Sequence, residues 1–191
     1  MKKLSDGAVL YHGSYCIVSE PNLSKCAAKK DFGQGFYLTT SREQAESFVR
    51  FSIGKAAAQG AVSSDQQYGY VSEYRYHDHG ALKQFVFQKA DREWLHCIVG
   101  HRKPGSFPDI LDEMRKYDIV GGKIANDKTN VTITTYLIGG YGEIGTDSAD
   151  AICIGQLIPE RLKDQYCFRT EKAMESIRYM GSERIWIRQE L

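Results

Sequence analysis

Extended segments rich in β-branched and aromatic residues stand at both ends of this chain, and helical patterns cluster between them. That order constrains the fold most, because it argues for an α+β architecture rather than regular βαβ alternation. Ala8-Val9-Leu10-Tyr11-His12-Gly13 reads as a short strand ended by glycine, and Gly35 to Thr40 as another. Ser41 then stands as an N-cap with Gln44 three residues on, a capping-box pattern. The helix that follows carries Ala45, Phe48, Val49 and Ile53 on one face at helical spacing, and Gly54 and Gly60 weaken its far end.

Further along, Tyr70 to Tyr76 alternates apolar and polar residues, and Gln84 to Gln88 is a second extended run. Asp91 is placed to cap a helix over Glu93 to His101, and Pro104 and Pro108 frame the turn into a helix from Asp109 to Lys116. Tyr117 to Val120 is a candidate buried strand. Thr129 to Ile138 is ambiguous, since its β-branched content favours a strand. The tail reads as a strand (Tyr166 to Arg169), a helix (Thr170 to Met180) and a strand (Arg184 to Arg188).

A chain of 191 residues without a low-complexity linker is expected to form one domain. The formal net charge of +1 provides no global field for nucleic acid or an acidic surface. The apolar runs are too short for a membrane span, and the basic N-terminus lacks the apolar stretch of a signal peptide. The five cysteines, Cys16, Cys26, Cys97, Cys153 and Cys167, are scattered without a CxxC pair. Their odd number fits inert thiols in a reducing cytosol rather than a disulfide framework or a catalytic thiol, so a cytoplasmic location is expected. His77-Asp78-His79, with His96 and His101 beyond, is read as a polar strand end, since a metal site needs converging ligands with a supporting shell.

Gly140-Tyr141-Gly142-Glu143-Ile144-Gly145 satisfies the GxGxxG spacing of a dinucleotide-binding turn. A Rossmann unit also wants a strand before it and an acidic residue about 20 positions on. Glu160 roughly fits that distance, but Pro159 precedes it. An NAD-dependent oxidoreductase using Gly140, Gly142 and Gly145 is therefore an alternative, and a loop between two helices is the expectation.

Three short motifs speak more directly about chemistry. Tyr11-His12-Gly13-Ser14, then Asp31-Phe32-Gly33-Gln34-Gly35-Phe36-Tyr37-Leu38-Thr39-Thr40, and late in the chain Asp164-Gln165-Tyr166-Cys167-Phe168 occur in this order. Together they resemble the signature motifs of the ADP-ribosyltransferase superfamily, whose members cut NAD+ at its nicotinamide bond. The pattern is a His-Tyr-Gln variant of the His-Tyr-Glu type, similar to poly(ADP-ribose) polymerase and diphtheria-toxin catalytic domains. It is most similar to a bacterial family placed in that superfamily, over about Tyr11 to Met180. Ser41 to Phe48 and Tyr117 to Asp127 are further matches. That family commonly has tryptophan where Phe48 stands, and it shares Ile124-Ala125-Asn126-Asp127, expected near the site without an assigned step.

The resemblance implies an ADP-ribosyltransferase-like fold with two small packed β-sheets and flanking helices, with a helix at Thr129 to Ile138. It implies NAD+ as substrate, bound in a cleft between the sheets. His12 would hydrogen-bond the adenosine ribose, Gly13 would clamp the nicotinamide carboxamide with its backbone, and Ser14 completes the polymerase triplet. Tyr37 would stack on nicotinamide, and Phe48, eleven residues on, would cover its other face, each face contributing about 0.5–1.5 kcal/mol beyond area burial. Gln165 stands where most active relatives have the glutamate that holds the ribose 2′-hydroxyl and stabilises the oxocarbenium-like transition state. A neutral bond there contributes about 1 kcal/mol against about 1.5–3 for a charged one. The expected catalytic set is His12, Tyr37 and Gln165. The expected function is transfer of one ADP-ribose to a macromolecular acceptor, protein or nucleic acid, with inversion at the anomeric carbon. By analogy, the resemblance also suggests a toxin with a cognate antitoxin partner. A non-catalytic NAD+ or ADP-ribose-binding module is the rival from a different class, and Gln165 is the residue that divides the two.

Overall fold

Tyr68–Tyr76, the alternating segment near the middle of the chain, is the central strand of a three-stranded sheet in the computed structural model, which describes residues 1–124, 127–157 and 162–187. In chain order the strands are β1 (Val9–Ser14), β2 (Phe36–Leu38), β3 (Tyr68–Tyr76), β4 (Gln84–Val86), β5 (Ile119–Lys123), β6 (Asp164–Phe168) and β7 (Ile177–Trp186). The helices are α1 (Arg42–Ala58), α2 (Arg92–Arg102), α3 (Pro108–Met114), α4 (Asp127–Leu137), α5 (Asp147–Leu157) and α6 (Glu171–Met174). One sheet has the order β1-β3-β7, all antiparallel. The other has the order β2-β6-β5-β4, with β4 and β5 parallel and the other pairs antiparallel. The class is α+β with two small sheets.

Strand alternation sorts the apolar residues into layers. Leu10, Tyr74 and Tyr76 of the first sheet meet Phe36, Leu38, Ile119, Tyr166 and Phe168 of the second in one buried cluster, so the sheets pack face to face. Val71, on the other face of the first sheet, packs under Ala45, Val49 and Ile53 of α1. Val120 and Cys167, on the other face of the second sheet, join Trp94 and Ile98 of α2, Ile133 and Tyr136 of α4, and Ala149 and Cys153 of α5. The order through the molecule is α1, first sheet, second sheet, then the α2, α4 and α5 layer.

The expected caps form. Ser41 Oγ accepts from Gln44 N at 3.3 Å, and an Asp91 carboxylate oxygen accepts from Trp94 N at 3.2 Å. The ambiguous stretch at Thr129 is helical. Thr129, Ile133 and Tyr136 lie on one helical face and are buried, and that packing outweighs β-branched propensity. The tail departs from expectation. The helix expected from Thr170 to Met180 stops after Met174, and β7 starts at Ile177. Ile177 and Tyr179 alternate with polar residues and pack on the inter-sheet core, where Tyr179 meets Tyr74 at 5.9 Å, so pairing with β3 wins over helix extension. Phe48 also departs: it is 38% exposed and rests against Phe51 at 5.2 Å rather than joining Ala45, Val49 and Ile53.

Asp150 pins the helical layer. Its carboxylate is 3% exposed, receives Arg92 Nε at 2.8 Å and accepts from the Tyr136 hydroxyl, and His96 Nε2 lies 2.7 Å away. The Tyr136 oxygen in turn accepts from Gly145 N at 2.8 Å, which ties the loop before α5 to α4. Asp150→Ala removes the acceptor through which α5 holds both α2 and α4 and is expected to destabilise the fold by about 3 kcal/mol. Equilibrium urea denaturation measures this, with an unchanged m-value expected.

Candidate functional site

The two sheets come together at one corner, where Tyr11 of β1 and Thr39, just after β2, exchange backbone hydrogen bonds of 2.8 and 3.0 Å. Thr39 Oγ1 donates to the Asp164 carbonyl at 2.8 Å. His12 and Gln165 follow Tyr11 and Asp164, so β1, β2 and the start of β6 bring these two residues to the same corner. His12 Nδ1 lies 2.9 Å from the Tyr37 carbonyl. A carbonyl only accepts, so Nδ1 carries the proton and Nε2 of the neutral ring is an acceptor. Burial lowers the His12 pKa, the Tyr37 bond opposes that shift, and nearby Lys30 adds to it. Its ring also rests on Phe36 at 4.6 Å.

Gly13 is where β1 passes closest to α1. A Cβ there would lie 1.9 Å from the Ala45 carbonyl oxygen and 3.3 Å from Val49 N, so no side chain fits. Because Tyr11 turns its N–H and C=O toward Thr39 and away from β3, alternation turns those of Gly13 toward the same edge. Ser14 is buried at the strand end, with Oγ 4.0 Å from Cys16 Sγ.

Tyr37 and Gln165 lie on the face of the second sheet that looks toward α2, Tyr37 opposite Cys167 and Gln165 two residues before it. Both side chains reach the turn at residues 31–33. The Tyr37 hydroxyl donates to the Gly33 carbonyl at 2.8 Å and accepts from Phe32 N at 2.9 Å, and burial pushes its pKa well up. Gln165 Nε2 donates to Asp31 Oδ2 at 2.8 Å and to the Lys123 carbonyl at 3.3 Å. Both partners are acceptors, so the amide orientation is chemically determined, and Oε1 accepts from none of the described residues. Asp31 Oδ1 also receives Arg102 Nη2 at 2.6 Å, and Arg102 Nη1 donates to Asn130 Oδ1 at 2.8 Å. Lys123 Nζ donates to Asp164 Oδ1 at 2.9 Å.

The structure joins His12 to Tyr37 through the Tyr37 carbonyl, joins Tyr37 and Gln165 through the turn at residues 31–33, and sets Gly13 next to His12 in β1. Ser14 sits beside them in the strand, and Phe48 shows no ring contact to His12 or Tyr37 among the described residues. Asn126, Glu160 and Pro159 lie outside the described residues. Sequence reasoning misses Asp31 and Arg102. Asp31 carries a signal, as an acid directly preceding the motif's buried Phe32; Arg102 carries none. Among the described residues, one surface cavity of about 540 Å³ lies against Lys103, Leu137 and Glu143, and one of about 140 Å³ borders the corner at Tyr11, with Arg42 and Glu183.

The other sequence signals are also placed. Gly140, Gly142 and Gly145 lie in the loop between α4 and α5, so a helix precedes them where a dinucleotide fold needs a strand, and the oxidoreductase alternative loses its structural frame. His77 follows β3, with Nδ1 3.9 Å from an Asp6 carboxylate oxygen that also accepts from Asp78 N at 3.0 Å. Burial pushes the thiols of Cys97, Cys153 and Cys167 up to about 12, which keeps them protonated. Among the described residues no helix is long and apolar enough to cross a membrane.

A family model described as "Protein of unknown function (DUF3990)" matches residues 8–179, and the chain belongs to that family. No curated protein matches the chain.

Gly13→Ala is expected to destabilise by about 3 kcal/mol or more, because the new methyl meets helix backbone rather than a movable side chain; thermal unfolding checks it. A second expectation concerns pH. His101 Nε2 is buried without a partner among the described residues, and burial, with Arg169 and Arg115 nearby, lowers its pKa to about 4. Its folded pKa lies below the unfolded value, so the unfolded chain binds the proton first. The stabilising contribution is complete above about pH 6.5 and is lost as pH falls toward 4. Melting temperatures across that window are expected to fall less steeply in His101→Gln than in wild type.

Proposed function

We propose that this corner binds NAD+ and cleaves its nicotinamide–ribose bond, transferring one ADP-ribose to a macromolecular acceptor. The observation that supports the reading is that β1 and β6, far apart in the chain, are both tied to Thr39, with His12, Gly13 and Gln165 one or two residues beyond those anchors and with His12 Nε2 and Gln165 Oε1 accepting from none of the described residues. His12 Nε2 is an acceptor suited to a ribose hydroxyl. The edge of β1 at Gly13 offers a donor and an acceptor in the spacing that a carboxamide complements. Gln165 Oε1 is an acceptor for a 2′-hydroxyl, the group next to the carbon on which positive charge develops. The ring of Tyr37 is held rigid by its hydroxyl, which is bonded to the turn at residues 31–33. In this reading the fold is the ADP-ribosyltransferase one, and a toxin with an antitoxin partner is the biological setting that the motif resemblance suggests.

The neutral Gln165 favours a second reading, a module that binds NAD+ or ADP-ribose without turnover, since a missing charge at the transition state costs about 10²–10³ in rate. Titration calorimetry and nicotinamide release from labelled NAD+ separate the two. Binding with release, and a mass gain of one ADP-ribose on an acceptor, is the expected result. His12→Ala is expected to weaken binding roughly five- to tenfold, the worth of a neutral hydrogen bond of about 1 kcal/mol. Gln165→Ala is expected to abolish release while leaving binding within about tenfold. Binding without release would support the module, and no binding at millimolar NAD+ would sink both.

A further inference from the structure

Asp31 and Gln165 are 134 positions apart, yet their side chains meet at 2.8 Å in a buried setting, and Arg102 closes the network from the other carboxylate oxygen at 2.6 Å. Three elements contribute: the turn before β2, the start of β6 and the last turn of α2. The Asp31 and Arg102 side chains are 11% and 18% exposed, so the pair is shielded from water. A buried ion pair of this kind stabilises a fold no better than well-packed apolar residues would, and its presence beside the reacting corner calls for a role other than stability.

Resting on the NAD+ reading above, we propose that Asp31 is the positioning residue of this site: it orients the Gln165 amide and supplies the negative charge that position 165 itself lacks. The carboxylate accepts from Gln165 Nε2 and so turns Oε1 away from itself. Without it, among the described residues the amide keeps only the longer contact to the Lys123 carbonyl at 3.3 Å. The donor bond also polarises the amide, which makes Oε1 a stronger acceptor than an isolated glutamine offers. Charge and contact atom are divided between two residues, with Arg102 holding the charge in place.

With this arrangement, Gln165→Glu does not simply restore a missing charge. A carboxylate at position 165 would face Asp31 at hydrogen-bond distance, and two carboxylates so close cannot both ionise near neutral pH. A charge swap avoids that conflict. In the double variant Asp31→Asn/Gln165→Glu, the new amide at position 31 can accept from Arg102 through its oxygen. Its nitrogen can donate to the new carboxylate at position 165, so the contacts of position 31 with Arg102 and with position 165 each again pair a donor with an acceptor.

The test measures nicotinamide release from NAD+, as kcat and KM separately, in wild type, Asp31→Asn, Gln165→Glu and the double variant. The side-chain amide signals of Gln165 are followed in parallel by ¹⁵N NMR, assigned by their loss in Gln165→Ala. Asp31→Asn is expected to lower kcat by about 10²–10³ with KM changed less than tenfold, and to shift the Gln165 amide signals and speed their exchange. Gln165→Glu alone is expected to lower kcat, and the double variant to return to within about tenfold of wild type. A gain of activity in Gln165→Glu alone would overturn the proposal. So would Gln165 amide signals that are the same in wild type and Asp31→Asn. If wild type releases no nicotinamide, the cleavage reading fails on its own, and the orienting contact stands or falls on the amide signals.

Discussion

Tyr11 and Thr39 exchange two backbone hydrogen bonds between strands that belong to different sheets, and the candidate site depends on this bridge. Two sheets packed only through apolar faces could slide against each other, because hydrophobic burial is non-directional. The bridge sets their register at one corner, and the Thr39 hydroxyl extends it to the start of β6. His12 and Gln165 are each one residue beyond an anchored position. Gly13 permits the same geometry from the other side, since any side chain there would push α1 off the sheet.

Behind the corner lies a small reservoir of buried charge. Asp31 reaches Gln165 and Arg102, and through Arg102 the network runs to Asn130 on α4. In a low-dielectric setting such groups are costly unless their bonds are complete, which ties the turn at residues 31–33 to strand and helix alike. The same turn receives the Tyr37 hydroxyl, so the orientation of three side chains depends on one short stretch of chain. The neutral Gln165 thus lies one hydrogen bond from the Asp31–Arg102 ion pair.

Much of the architecture is legible in local pattern. Period-two runs mark the strands, and Ser41 and Asp91 mark helix starts, because capping and alternation are decided within a few residues. The tail helix reads too long because Thr170 to Met180 has helix formers at its start, while the strand signal of Ile177 and Tyr179 gains its weight only from Tyr74 across the sheet. Spacing assigns Phe48 to the buried helix face, yet it turns outward beside Phe51. A 3.6-residue period leaves a residue at the stripe's edge undecided until a partner surface is present.

For the site, the sequence by itself determined residue types and order: a histidine and glycine ending one strand, a glycine-rich turn with its tyrosine on the next, and a late glutamine at the start of a third. It also determined that position 165 carries no charge. Only the tertiary structure decided what those residues face. It put the Tyr37 hydroxyl into the turn at residues 31–33, committed His12 Nδ1 to a carbonyl so that Nε2 is the acceptor, and set Asp31 against Gln165 with Arg102 behind it. The reason is physical. Strand and cap preferences act over a few neighbouring residues, whereas a hydrogen bond between residues 31 and 165 exists only once loop closure and sheet packing have brought them together.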